Sequence, residues 1–184
     1  STSMYNGYYG YYNAVLHYAL NGGTRYLSAL HSFFVQCNNT AGGTLIFNNS
    51  MRSDMVNTQL YKNEIKPPYP HIKLKAMCSQ TAYLSDETAI FLIPEATENF
   101  DPDYDVAKIM NTEPDMPNIF SLSKDNYLAI NSLPFDLKKE IIIPIGYSTN
   151  KSGLNFIEAT EISNIDNDIE IVLEDIAKNY SQNL

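Results

Sequence analysis

Basic residues are scarce in this sequence. Lys plus Arg number 12 against 21 Asp plus Glu, for a net charge of −9 at pH 7. A chain of that balance, with no basic cluster, repels phosphate backbones and anionic headgroups, which sets aside nucleic acid and anionic lipid as partners. Long apolar runs are missing as well. Nothing approaches the roughly 18 consecutive apolar residues that cross a bilayer, so no membrane insertion is expected. The N-terminus, STSMYNGYYGYYN, has no basic stretch followed by an apolar one, hence no signal-peptide pattern. It has no initiator Met and starts abruptly, so a fragment of a longer precursor is expected.

Catalytic signatures are the next absence. The three histidines, His17, His31 and His71, are scattered, and none stands beside Ser or Cys in a nucleophile setting. His71 follows Pro70 and is expected at the surface. GxGxxG, Walker A and HExxH patterns do not occur. The reading is a non-enzyme with no catalytic residue and no cofactor. Cysteine is limited to Cys37 and Cys78. Alternation places Cys37 with Phe33 and Val35, and Cys78 with Ile72, Leu74 and Ala76, both facing inward. Two buried thiols and one disulfide between strands are equally open readings. No CxxC spacing or His pair turns either into a metal ligand.

What is present is β-structure. The stretch Tyr127–Asp175 holds four short apolar runs separated by Asn, Ser, Gly, Asp and Pro, the pattern of strands joined by turns. Ile141, Ile143, Ile145 and Tyr147 share one face by period-2 alternation, as do Ile169, Ile171 and Leu173. Upstream, residues 31 to 48 read as a hairpin around the turn Asn38–Gly43. His71–Cys78 and Thr88–Ile93 read as another. Lys66-Pro67-Pro68-Tyr69-Pro70 removes ladder donors and makes a crossing loop. The 20 asparagines favour turns throughout. About ten short strands with almost no helix predict an all-β fold, a two-sheet antiparallel β-sandwich of jelly-roll type, as one domain over residues 1–184. Residues 1–13 form a Tyr-rich lead-in, and 94–118 a long acidic loop with some helical character only at Val106–Met110.

Two features are candidate ligand sites. Tyr8, Tyr9, Tyr11 and Tyr12, with Tyr83 and Tyr147 further along, offer rings that stack on sugars or on a neighbouring subunit; the alternative is a first strand covering the sandwich. Asp101, Asp103 and Asp105 echo the alternating acids of a calcium loop. The pattern has Val106 where the loop needs Gly and Thr112 where it needs a bidentate Glu. A calcium site of another type stands beside a structural reading, in which Phe100 and Tyr104 anchor the loop and the acids cap turns. Sequons begin at Asn38, Asn48, Asn150 and Asn179 and arise readily in so Asn-rich a chain.

Several pieces together resemble a module of Bacteroidota surface and secreted proteins that immediately precedes the C-terminal sorting domain of the type IX secretion system. They are Ser32-Phe33-Phe34-Val35-Gln36 followed by GGTLIFNNSMR, then Ser85–Ile90, Ala96–Asp101, Tyr104–Lys108, Leu128–Ser132, Ile143–Gly146 and Leu173-Glu174-Asp175. The resemblance implies a non-catalytic β-sandwich in a large extracellular protein, exported to the bacterial cell surface and serving as spacer, stalk or secreted cargo. Its partners would be other domains of that protein, a neighbouring subunit or the secretion machinery. Two alternatives remain: a carbohydrate-binding module using the N-terminal tyrosines, and a self-assembling filament subunit completed by strand donation. The family pattern continues past the LED strand, so an unfinished sheet edge is expected there, covered by another segment or chain.

Overall fold

A computed structural model describes residues 9–27, 32–35, 37, 40–53, 67–78, 84–135 and 139–184. The described residues are almost entirely β, with sandwich-like layering. Among the described residues there are eleven strands and one turn of 3-10 helix, Asn49–Met51. In chain order the strands are β1 (Tyr11–Asn13), β2 (Tyr18–Leu20), β3 (His71–Cys78), β4 (Ser85–Leu92), β5 (Val106–Ala107) and β6 (Asn118–Ser123). They continue with β7 (Asn126–Leu133), β8 (Ile145–Ser148), β9 (Asn155–Ser163), β10 (Val172–Asp175) and β11 (Tyr180–Asn183). Seven of them form one sheet in the order β8-β6-β7-β4-β3-β9, with β5 also paired to β7. Pairing is antiparallel throughout except for β4 with β7, which run parallel.

The expected hairpin of His71–Cys78 with the following strand is present as β3 and β4, with His71 opposite Phe91 and Met77 opposite Ser85. Alternation works as it should in a sheet buried on both faces. Ala89 and Phe91 of β4 point into one apolar cluster, and Ile90 points into the other. The first cluster is closed by the β1–β2 hairpin, which lays Tyr11, Leu16, Tyr18 and Leu20 over Phe91, Ala129 and Ile130. Its turn is built locally: the Asn13 carboxamide oxygen accepts the Val15 and Leu16 amides, and His17 takes a left-handed φ of 52°. The second cluster contains Leu74, Ala76, Ile90 and Ile119, and its remaining apolar neighbours are only partly buried.

Three expectations are corrected. The hairpin over 31 to 48 is absent from its described residues, which carry no strand; Phe34, Val35, Ile46 and Phe47 are exposed. Phe33 and Phe47 meet edge to face at 5.9 Å. These runs have strand composition but no ladder partner. The helical character of Val106–Met110 is overridden: Val106–Ala107 is a short strand on β7, extended by the Lys108 amide bonding to Tyr127 O. His71 is fully buried rather than at the surface, because as the first residue of β3 it lies opposite Phe91 and stacks on that ring at 4.7 Å.

The C-terminal third departs most from expectation. From Leu133 to Leu184 no described residue is buried. Of the face read as Ile141, Ile143, Ile145 and Tyr147, the last three are partly covered but Ile141 is exposed; Ile169, Ile171 and Leu173 alternate as read and are only half covered. β10 and β11 form a separate two-stranded hairpin outside the main sheet.

Candidate functional site

The most concentrated polar chemistry lies inside the molecule, at one end of β4. The Asp86 and Lys108 side chains are both fully buried, with Lys108 Nζ 2.5 Å from Asp86 Oδ2. Asp86 occupies an inward position of β4 in step with Thr88 and Ile90. Its Oδ1 accepts from Asn21 Nδ2 at 2.8 Å, and its Oδ2 also accepts the Ile119 amide at 2.8 Å. One carboxylate thus ties the end of β2, the segment after β5 and the start of β6 to β4. Lys108 Nζ also lies 5.2 Å from the centre of the Tyr11 ring. The Tyr11 hydroxyl donates to Ile109 O and accepts the Ile109 amide, fixing the backbone next to the lysine. Burial pushes the Lys108 ammonium below its usual range, opposed by the charge and hydrogen bond of Asp86.

A second brace is formed by Asp105, 4% exposed. Its Oδ1 accepts the Ser132 amide at 2.7 Å and its Oδ2 the Asp101 amide at 2.8 Å. Burial pushes its carboxyl up to about 6, with the two amide donors pulling the other way. Asn13 Nδ2 reaches Asp103 O and Tyr104 O, so the acidic loop is stitched to the β1–β2 hairpin as well.

The third group surrounds His71. Its Nδ1 lies 2.9 Å from Tyr69 O, and its Nε2 3.4 Å from Glu161 Oε1. Glu161 Oε2 accepts from the Tyr18 hydroxyl at 3.0 Å. Partial burial raises the Glu161 carboxyl, but Tyr18, His71 and Lys73 outweigh it and hold the group below its usual range. The His71 ring is walled by Phe91 and Tyr18. The ring is fully buried, and through Glu161 the cluster ties β9 to β3 and to the β1–β2 hairpin.

Tyr11 is a core residue and unavailable as a stacking platform. Tyr9 is half-buried against Phe34, edge to face at 5.5 Å. Tyr12 is half-buried, with its hydroxyl 3.2 Å from His17 Nδ1. Tyr147 is partly buried against the second cluster. Tyr8 and Tyr83 lie outside the described residues. Asp101, Asp103 and Asp105 are used locally: Asp101 Oδ1 accepts the Asp103 amide, and Asp105 is committed to backbone donors. Among the described residues no group of three His, Cys, Asp or Glu side chains is placed to hold a metal ion. Cys37 is exposed rather than inward-facing, Cys78 is buried, and no disulfide joins them.

The outer elements are open strand edges. β9, nine residues long, is the last strand of the main sheet, with β3 as its sole partner among the described residues. A register shift opposite Lys73 and Leu74 leaves Thr160 as a bulge, and Glu158 and Glu161 sit on the strand. Bulges and charges are the usual protection of an edge against indiscriminate pairing. The β10–β11 hairpin exposes Val172 and Tyr180, with Ile176 at its turn 90% exposed. No helix among the described residues is long and apolar enough to cross a membrane.

The family described as a domain of unknown function, DUF8693, matches residues 2–184. The chain belongs to the DUF8693 family. No curated protein and no solved structure matches it. The DUF8693 match covers both the braced core and the open C-terminal third, so the two are parts of one family pattern.

Sequence reasoning passed over Asp86, Lys108 and Asn21. The signal was available in SDETAIFL, where an acid occupies an inward position of a strand whose later inward residues are Thr and Ile. A buried acid needs a cation or several donors, and Lys108 in VAKIM is in step with Val106. The partner could not be named without the fold.

Proposed function

We propose that this DUF8693 chain is a non-catalytic structural or adhesion module of a larger extracellular protein, exported to the bacterial surface by type IX secretion and joined to its neighbours through its C-terminal third. The observation that carries this is the contrast between the two parts of the chain. Upstream of Leu133, the buried Asp86, Lys108 and Asp105 side chains brace strands and loops to one another. Downstream, regular strands with alternating apolar residues have no buried position at all. A two-stranded hairpin alone is marginally stable in water, so β10–β11 gains from a neighbouring surface. The extracellular assignment rests on the sequence resemblance. Surface proteolysis of intact cells producing the epitope-tagged parent protein is the test. Cleavage of the tag in intact cells is expected; protection until the cells are lysed would sink the reading.

Self-assembly by strand donation is the second reading, favoured by the outer edge of β9, which has no partner among the described residues, and by the β10–β11 hairpin outside the main sheet. It predicts concentration-dependent growth in sedimentation velocity that is abolished by Leu173→Pro. A sedimentation coefficient constant over a hundredfold concentration range would remove it. Burial of Tyr11 weakens the carbohydrate reading, because the N-terminal tyrosines no longer form one exposed platform.

A further inference from the structure

We infer that the buried Lys108 and Asp86 side chains are poised to condense into an intramolecular amide, a covalent cross-link between β4 and the segment after β5. Both side chains are fully buried and in contact at 2.5 Å, so the encounter that limits such a reaction in water is already made. Carboxylate and ammonium each lose hydration on burial, and their mutual attraction compensates poorly unless the geometry is excellent. Condensation removes both charges from the interior and releases one water.

The surroundings suit the reaction. In the neutral form of the pair, the Lys108 amine attacks Asp86 Cγ. The Cγ–Nζ bond forms, the Cγ–Oδ2 bond breaks, and Oδ2 leaves as water with its own proton and one from the amine. No oxidant, cofactor or activated donor is needed. Asn21 Nδ2 donates to Oδ1, the oxygen that carries negative charge in the tetrahedral intermediate and becomes the amide carbonyl. The Ile119 amide donates to Oδ2, the departing oxygen. Burial favours the neutral amine over the ammonium. The Tyr11 ring flanks the amine. Glu87 lies close enough for its charge to act on Lys108, while its Oε2 accepts the Asn21 amide at 2.8 Å and so helps hold Asn21 in place.

The product closes a covalent loop from residue 86 to 108 that contains the first part of the acidic loop, Asp105 included. This inference stands apart from the proposed surface role, since the chemistry needs only the folded chain. Intact-mass measurement under denaturing conditions tests it without relying on any variant. The purified full chain, held folded at neutral pH, is expected to weigh one water less than its sequence. A tryptic digest should contain the peptide bearing Asp86 joined to that bearing Lys108. Lys108→Arg, which keeps a cation but cannot acylate in this way, should show the full sequence mass. A wild-type chain at full sequence mass after prolonged incubation overturns the inference and leaves the pair ionic. Loss of water without the joined peptide overturns it equally.

Discussion

Asp105 should make the protein less stable as pH rises through the mildly acidic range, opposite to the usual behaviour of a hydrogen-bonded carboxylate. Its carboxyl is pushed from 3.8 to about 6 by burial, despite accepting the Ser132 and Asp101 amides. Between those two values the folded chain holds a proton that the unfolded chain has released. Stability therefore falls with rising pH across that window, is complete below about pH 4, and is lost above about pH 6. A shift of about two units is worth up to about 3 kcal/mol at 1.36 kcal/mol per unit, and relaxation around the loop reduces it to about 1–3 kcal/mol. Asp105→Asn removes the titration. It also replaces one acceptor oxygen by an NH2 group facing a backbone amide, costing about 1–3 kcal/mol with no pH dependence from this site. Urea unfolding followed by circular dichroism at about pH 4, 5, 6 and 7 isolates the effect, because every other group titrates alike in both proteins. The gap in unfolding free energy, wild type over variant, should narrow by about 1–3 kcal/mol from the lowest to the highest pH. A constant gap refutes the reasoning. So does a carboxyl carbon titration of Asp105 with its midpoint near the unperturbed value.

Other expectations follow from single contacts. Gly23→Ala should cost about 2–4 kcal/mol in thermal or urea melts, because its Cβ would fall 1.9 Å from the Tyr11 backbone oxygen. Gly22→Ala, at φ +71° with open space around it, should cost only about 1–2 kcal/mol, and the reverse order would contradict the β1–β2 packing. Tyr11→Phe should lose about 1–3 kcal/mol, since the Ile109 amide and carbonyl both lose their partner; unchanged urea midpoints would argue against that bridge. In hydrogen exchange, β10–β11 amides should exchange far faster than those of β4 and β7; equal protection in the isolated chain would mean the hairpin is covered.

Period-2 alternation reports which side chains share a face, and where both faces are packed it located elements well. The β3–β4 hairpin and the common face of Leu74, Ala76 and Cys78 were readable for that reason. Alternation contains no information about whether a strand finds a ladder partner. SFFV and TLIF have the composition of strands and stay outside any sheet. Nor does it reveal that β4 and β7 pair in parallel, which depends on the long excursion between them. The braces were harder to read because their members are far apart in sequence: Asn21, Asp86, Lys108 and Ile119 meet only after four segments have packed.

The C-terminal third shows the same limit from the other side. Its repeated pattern of Ile, Tyr and Leu made it look like the centre of the fold, yet the buried centre lies in β4, β6 and β7 under the β1–β2 hairpin. Side chains such as Ile157, Ile143 and Ile145 are only half covered. Leaving them so forfeits part of the about 1.5–3 kcal/mol that full burial of each would contribute. On β9 this apolar pattern runs along an edge that also carries Glu158, Glu161 and a bulge. Two copies of that edge brought together would oppose like charges, which disfavours symmetric pairing of β9 with itself. A partner for this edge therefore has to bring uncharged or basic residues, and the acidic β10–β11 hairpin of a second copy, with Glu174 and Asp175, meets that condition poorly at neutral pH. On the proposed reading, charge therefore favours a different polypeptide segment over a second copy of this chain beside β9.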